Sequence, residues 1–396
     1  MKNLTKVSSM FVYLDNSSTT KQYDSVTDTM LRYMRDGFGN PSSLHSMGLD
    51  AEHALKEARK TVAGAIGFSP GEVFFTSGGT EAANLAVFGA ALANKRRGNK
   101  IITSCIEHPA VLESCKKLEG IGFEITYIGV DEKCRLNIDE LKDSINDKAT
   151  MISAMHVNNE TGTIMPIDEI YKGKTEKTVF YTDAVQSFGK LPLSGAKADI
   201  ITTSAHKIHG PKGCGAIGIR KGVRVDPIIF GGGQEKNMRP GTENVAAIAG
   251  FGKAAQIAIA ALSKRAQAMD SARHYLLSGI KAEIKDIKIN SIEETNLNGA
   301  GGFCSPSILN VSFLGTKGEV ILHGLESEGI YVSTGAACSS NKKGKSRVLS
   351  AMGLSDKEIE GALRFSFSEF NTVAEMDYVL CKLKGQIGRF RGLSRG

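Results

Sequence analysis

The sequence predicts an α/β fold, a mostly parallel sheet covered by helices. Short apolar strands alternate with helical stretches or loops between residues 73 and 219, and polar groups gather just beyond the carboxyl ends of those strands, where open parallel sheets bind ligands. At 396 residues the chain is long enough to bury a large core and to form two domains.

Taken in order, an opening strand at 11–14 is expected to join the second domain. Ala54, Leu55, Ala58, Val62, Ala63 and Ile66 recur at helical spacing. Val73-Phe74-Phe75 then reads as a strand ending at Ser77-Gly78-Gly79-Thr80, followed directly by a helix over 81–93. Further strands are expected at 101–102, 125–128, 151–157, 179–181, 200–201 and 216–219. The apolar window 245–262 is interrupted by Lys253 and Gln256, and its Ala and Gly content suits a buried helix rather than a membrane span. Past residue 260 the pattern changes to a long helix over 261–280, a polar loop over 291–302 and shorter strands around 308–313. We therefore expect a large domain over residues 17–260 and a smaller α+β domain from 1–16 and 261–396.

Composition is ordinary, with 41% hydrophobic and 23% charged residues. The net charge of +7 comes from scattered basic residues, apart from a terminal cluster of Lys382, Lys384, Arg389, Arg391 and Arg395 that reads as a solvated tail. No direct nucleic-acid or membrane partner is expected. The seven cysteines are odd in number and contain no C-x-x-C pair, which indicates neither a disulfide framework nor a zinc ribbon. A reducing cytoplasm is the expected setting, and the first twelve residues carry no export or transit pattern.

Lys207 carries the chemistry. It follows an apolar strand ending in Thr202-Thr203 and precedes the turn His209-Gly210-Pro211, while Val179-Phe180-Tyr181 delivers Asp183 to a neighbouring strand end. A lysine and a carboxylate so placed suit pyridoxal 5'-phosphate: the lysine forms a Schiff base and the carboxylate keeps the ring nitrogen protonated. The turn Ser77-Gly78-Gly79-Thr80 offers free amides at a helix N-terminus, fit for a phosphate. His108, after the next strand, is placed to stack on a flat ring. The segment Met155-His156-Val157-Asn158-Asn159-Glu160-Thr161-Gly162 adds amides at another strand end, beside Gln186, Ser204 and His206. His206, His209 and Cys214 match no common zinc spacing and lack a fourth ligand, so no metal is expected.

These segments together resemble the cysteine desulfurases, pyridoxal-phosphate enzymes of the class V aminotransferase group with fold-type I architecture. The likeness runs nearly end to end: Tyr13-Leu14-Asp15-Asn16-Ser17-Ser18-Thr19-Thr20, Gly39-Asn40-Pro41, Phe75-Thr76-Ser77-Gly78-Gly79-Thr80-Glu81, His156-Val157-Asn158-Asn159-Glu160-Thr161-Gly162, Asp183-Ala184-Val185-Gln186, the Lys207 segment, and Arg239-Pro240-Gly241-Thr242-Glu243-Asn244. The resemblance implies that Lys207 is the Schiff-base lysine, Asp183 the partner of the pyridine nitrogen and His108 the stacking residue, with a possible part in proton transfer. Asn159 and Gln186 would lie beside the ring and its phenolic oxygen. Gly79, Thr80, Ser204 and His206 would hold the phosphate, and Thr242 would reach it from the other subunit of a homodimer.

Cys338 is the second catalytic group that the resemblance implies. The stretch after it, Ser339-Ser340-Asn341-Lys342-Lys343-Gly344-Lys345, is polar and basic, cannot be core and favours thiolate over thiol. It resembles the long mobile cysteine loop of the nitrogen-fixation and iron–sulfur assembly desulfurases. Arg364 matches the arginine that binds the substrate carboxylate, with Asn40 assisting. The family pattern is broken at Gln234-Glu235-Lys236-Asn237, where Arg-Gly is usual after Gln-Glu, and at Pro240, where serine is common. The expected activity is removal of sulfur from L-cysteine to give L-alanine and a persulfide on Cys338, for transfer to an iron–sulfur scaffold or a thiolation enzyme. Selenocysteine lyase or amino-group transfer is the alternative within the same fold, and a non-catalytic platform in a sulfur-transfer complex the alternative outside it.

Overall fold

The computed structural model describes residues 10–334 and 345–393. Its centre is a seven-stranded sheet of β2 (Val73–Thr76), β3 (Lys100–Ser104), β4 (Glu124–Ile128), β5 (Ala149–Ser153), β6 (Val179–Asp183), β7 (Ile200–Ser204) and β8 (Gly215–Ile219); β1 (Val12–Tyr13) lies outside it. The strand order is β2-β8-β7-β6-β5-β3-β4. Only β8 runs against the rest, pairing antiparallel with β2 and β7. The carboxyl ends of the other six strands therefore share one edge of the sheet.

Both faces of this sheet are covered. Phe75, Ile102, Ile152, Phe180, Ile201 and Ala216 enter one buried cluster, and their chain neighbours Phe74, Ile101, Met151, Tyr181, Ile200 and Ile217 enter another. Successive side chains point to opposite faces of a strand, so a strand buried on both sides must be apolar throughout. The helix Val245–Ala260 packs against helices Asp24–Arg35 and Ser46–Ile66. Its Gly252 is required by close approach, since a Cβ there would lie 2.7 Å from Ala58 Cα. Among the described residues no single helix is long and apolar enough to cross a membrane.

A second, antiparallel sheet has the order β12-β10-β9, from β9 (Ile287–Ile289), β10 (Ile308–Phe313) and β12 (Ala362–Ser366). The opening strand β1 pairs in parallel with β11 (Ile330–Tyr331), and single bridges Asp15–Ser366 and Ser333–Arg364 join that pair to β12. Helices Leu262–Glu283 and Val373–Leu393 pack together over this part, around Leu14, Leu276, Leu309, Phe365 and Leu383.

Three expectations change. The strand expected over 151–157 ends at Ser153, and Val157 keeps only a single bridge to Ile164. The chain turns there because Asn158 Oδ1 accepts from the amides of Glu160 and Thr161. The helix expected from 81 begins at Gly79 and continues through a π turn, Leu85–Gly89, into Ala90–Asn94. The basic cluster near the C-terminus, where it is described, lies on the helix Val373–Leu393 and not on a tail, although Lys384 and Arg389 are exposed. From the last helix, Lys382 pairs with Glu328 and Lys384 with Glu283, and Arg391 donates to the carbonyls of Leu314, Lys285 and Asp286.

Candidate active site

The shared carboxyl edge of the sheet brings most of the expected residues together. Lys207 closes a short 3-10 turn, Ala205–Lys207, directly after β7, and its Nζ donates to the carbonyls of Ser17 at 2.6 Å and Ser18 at 2.8 Å. Asp183 ends β6, adjacent to β7. It is buried, and its Oδ1 accepts from the Val185 amide at 2.9 Å. Burial pushes its carboxyl above the usual range, while His108, the Val185 amide and Lys207 pull the other way. A cation against this carboxyl would restore its ionised form.

His108 caps the helix Pro109–Glu119, its Nδ1 accepting from the Ala110 amide at 3.1 Å. That bond leaves Nε2 to carry the proton of a neutral ring. Burial holds the imidazole below its usual range, with Asp183 opposing and Lys207 reinforcing. Lys207, Asp183 and His108 thus share one electrostatic environment although they come from three strand ends.

Beside them lies a cavity of about 390 Å3 whose walls include Thr19, Gly79, Thr80, Ser204, His206 and Lys212. The first turn of the helix from Gly79 presents amides without intrahelical acceptors. Ser204 Oγ is buried and has no hydrogen-bond partner among the described residues. A Cβ on Gly79 would come within 3.0 Å of Val185 Cγ2 and 3.5 Å of Ser204 Cβ, crowding this space. His206 is pushed down to about 4 by burial and by the charges of Lys207, Lys212 and Lys190. An orphaned hydroxyl, helix-end amides and lysines around a neutral histidine fit a phosphate, and the Asp183–His108–Lys207 group fits the pyridine ring of pyridoxal phosphate.

Arg364, on β12, faces the same site from the second sheet. One Nη donates to Asn159 O at 2.8 Å; the other reaches Asp15 Oδ1 at 2.9 Å and Ser18 Oγ at 2.8 Å. Its Nε is buried without a partner among the described residues. This is a donor held in place for a carboxylate. Gln186 Nε2 donates to Ser17 O at 3.0 Å, the carbonyl that also receives Lys207.

Two expected residues stand apart. Asn40 is exposed, and its Oδ1 is spent on the Ser42 amide at 2.9 Å, with no hydrogen bond to Arg364 among the described residues. Thr242 is also exposed and lines a different cavity, of about 220 Å3, with Ser77, Gly213 and Glu243. Cys338 lies outside the described residues.

Several contributors carry no assigned role in the sequence reading. The segment Asp15-Asn16-Ser17-Ser18-Thr19-Thr20 crosses the site: it receives Lys207 and Gln186, holds Arg364, and bonds His206 through Thr19 Oγ1 and Thr20 Oγ1. Its signal is six small polar residues directly after an apolar strand. Glu107 is buried, and its Oε1 ties Ser104 Oγ at 2.6 Å to the Met155 amide at 2.8 Å, joining the ends of β3 and β5 behind His108. Glu160, also buried, accepts from Ser346 Oγ at 2.5 Å. Burial pushes both carboxyls up to about 7.

The aminotransferase class-V family model matches residues 12–379. The chain is 43% identical to a cysteine desulfurase IscS of Methanosarcina thermophila, covering 97% of this chain and 93% of that one, and 42% identical to one of Dictyoglomus turgidum, covering 97% and 96%. A solved NifS-like protein aligns with a TM-score of 0.87 at 38% identity, over 95% of this chain and 99% of that one. SspA, solved in complex with cysteine, aligns with a TM-score of 0.77 at 32% identity, over 91% and 100%. With a site at the carboxyl edge of the sheet that fits pyridoxal phosphate, and relatives of this likeness over nearly its whole length, the chain belongs to the class-V aminotransferase family, among the cysteine desulfurases.

Proposed function

We propose that the chain is a pyridoxal-phosphate-dependent cysteine desulfurase, releasing L-alanine from L-cysteine and retaining the sulfur as a persulfide on Cys338. The observation that carries this is the grouping of Lys207, Asp183 and His108 beside the cavity lined by Gly79, Thr80, Ser204 and His206, with Lys207 and the Arg364 guanidinium both bound to the strap of residues 15–20. Gly79, Thr80, Ser204 and His206 would hold the phosphate, Asp183 the ring nitrogen, His108, Asn159 and Gln186 the surroundings of the ring, and Lys207 the aldehyde carbon. When bound, pyridoxal phosphate supplies an electron sink at the substrate α-carbon.

Arg364 orients L-cysteine by its carboxylate. Substrate binding frees the Lys207 amine to take and return the α-proton, a task that requires it to leave the carbonyls of Ser17 and Ser18. The Cys338 thiolate forms a bond to the substrate sulfur as the carbon–sulfur bond breaks, and protonation of the remaining three-carbon unit gives alanine. His108, with its proton on Nε2, is assigned a part in this proton transfer. Thr242, exposed and absent from the walls of its own chain's phosphate cavity, is assigned to the phosphate of a second copy in a homodimer. An iron–sulfur scaffold or a thiolation enzyme in the cytoplasm is the acceptor we assign.

The test is release of alanine and sulfide from L-cysteine with a reductant, run on the wild type and on Cys338→Ala, both with the cofactor bound. Equal alanine and sulfide from the wild type, lost in the variant while the visible absorbance stays, is expected. Product from neither protein would overturn the reading and direct the assay to selenocysteine and then to amino-group transfer.

A further inference from the structure

Lys190 is a fully buried lysine for which the reaction above has no use. It ends the tight turn after Asp183, in which the amides of Ser187 and Phe188 bond Ala184 O and that of Lys190 bonds Ser187 O. Gly189 beside it has φ 67°, and a Cβ there would lie 2.9 Å from Ile208 Cγ2 and 3.0 Å from Ala258 Cβ. The turn is therefore pressed beneath the Lys207 segment and leaves Lys190 little freedom. Its side chain is buried, with 3% of the residue exposed. Its one hydrogen-bond partner among the described residues is Gln186 Oε1, at 3.2 Å.

The charges around it are mostly of its own sign. Lys207 on the 3-10 turn, Arg265 on helix Leu262–Glu283 and Arg364 on β12 oppose the ammonium, and Glu369 favours it. Glu369 is already engaged by Arg265, His209 and Tyr23. Burial followed by these cations pushes Lys190 down to about 7. A methionine of similar shape would fill the space without that desolvation cost, so packing alone does not account for a lysine.

What the lysine does accomplish is orientation. An amide can be turned either way, but with Lys190 donating to Oε1, the Nε2 of Gln186 must face Ser17 O and Lys207. We propose that Lys190 is a positioning residue that acts through Gln186, locking the donor edge of its amide toward the Lys207 side of the site. This rests on the reading of the site as the pyridoxal-phosphate site given above. Protonation at Lys207 is thereby disfavoured, and the Gln186 amide is kept as a hydrogen-bond donor to the bound group.

The test uses the cofactor-loaded full chain and reads the pH midpoint of its visible absorption in the wild type, Lys190→Met, Gln186→Leu and the double variant. In Lys190→Met we expect the midpoint to rise by about 0.5–1 pH unit, with kcat for L-cysteine falling more than KM rises. Gln186→Leu should move the midpoint the same way, and the double variant should shift less than the sum of the two. A folded, loaded Lys190→Met with the wild-type midpoint would overturn the proposal, as would additive shifts. Should Lys190→Met not fold, an unmoved midpoint in Gln186→Leu overturns it. A wild type with no visible band after the cofactor is added overturns the reading of the site itself, a different failure.

Discussion

The cofactor cradle draws its groups from the ends of neighbouring strands in one sheet, whereas the Arg364 corner joins segments as far as 349 residues apart. Asp183, Ser204 and Lys207 stand at or just past the ends of the paired strands β6 and β7, and ladder hydrogen bonds fix the register between those strands. Arg364 comes from the smaller sheet and is held by Asp15, Ser18 and Asn159, two side chains and a carbonyl. Precision in the cradle thus follows from one sheet being formed. In the corner it requires two separately built sheets to meet, with the strap of residues 15–20 as the link. The cradle is suited to holding a permanent group, and the corner to receiving and releasing a substrate.

Four experiments break or sharpen that contrast. Lys207→Ala strikes the cradle where its chemistry lies, and alanine release from L-cysteine should fall by about 1,000-fold or more; thermal unfolding should change little, because Lys207 belongs to no ladder. Arg364→Lys strikes the corner. It removes the planar fork but keeps the charge, and KM for L-cysteine should rise by about 10- to 100-fold in steady-state kinetics, the loss of one charge-assisted hydrogen bond. Cofactor content should be unchanged, since the cradle does not depend on the corner.

The third separates the cradle's rigidity from its chemistry. Burial raises the Glu107 carboxyl from its ordinary range to about 7, with the charge of Asp183 adding to the effect and the bonds from Ser104 and Met155 opposing it. A folded-state value above the unfolded one stabilises the protein fully at pH below about 4.5, and that contribution is lost as pH rises through 7. Glu107→Gln should remove this loss. Without the cofactor, its unfolding free energy relative to wild type should rise between pH 5 and pH 8 by an amount up to about 3 kcal/mol; a flat difference across that interval would show that Glu107 does not titrate there. The smallest effect is expected for Ser204→Ala. The hydroxyl has no partner among the described residues, so the apoprotein should lose little stability, while cofactor affinity measured by equilibrium dialysis should weaken by about fivefold, near 1 kcal/mol.

Much of the cradle was legible in the sequence because each of its parts is local. A strand buried on both faces has to be apolar along its length, and the polar residue that ends it must find a partner or a ligand, so Asp183, Ser204 and Lys207 stand out from Phe180, Ile201 and Tyr181 beside them. The glycine turn before the helix at Gly79 is of the same kind, apart from a start two residues earlier than expected. Arg364 was found through its motif, not its surroundings, and nothing local distinguishes it from the paired Arg391. The strand expected to reach 157 was overextended because apolar content continues through Met155 and Val157 although the strand ends at Ser153, before Asn158 turns the chain. Asn40 stands apart from Arg364 in this chain because its Oδ1 closes a turn with Ser42, a competition that composition does not display.

Sequence by itself therefore determined the alternation of strands and helices and the edge of the sheet at which polar residues such as Asp183, Ser204 and Lys207 gather, since periodicity and strand ends are properties of contiguous residues. Tertiary structure alone decided that the strap of residues 15–20 binds Lys207 and Arg364 together, that Thr242 is exposed beside a different cavity from the one lined by Gly79 and Ser204, and that Lys190 is buried against Gln186. Those outcomes depend on which distant groups exclude water from one another, and the environment of a buried charge is supplied by residues that are neighbours only after folding.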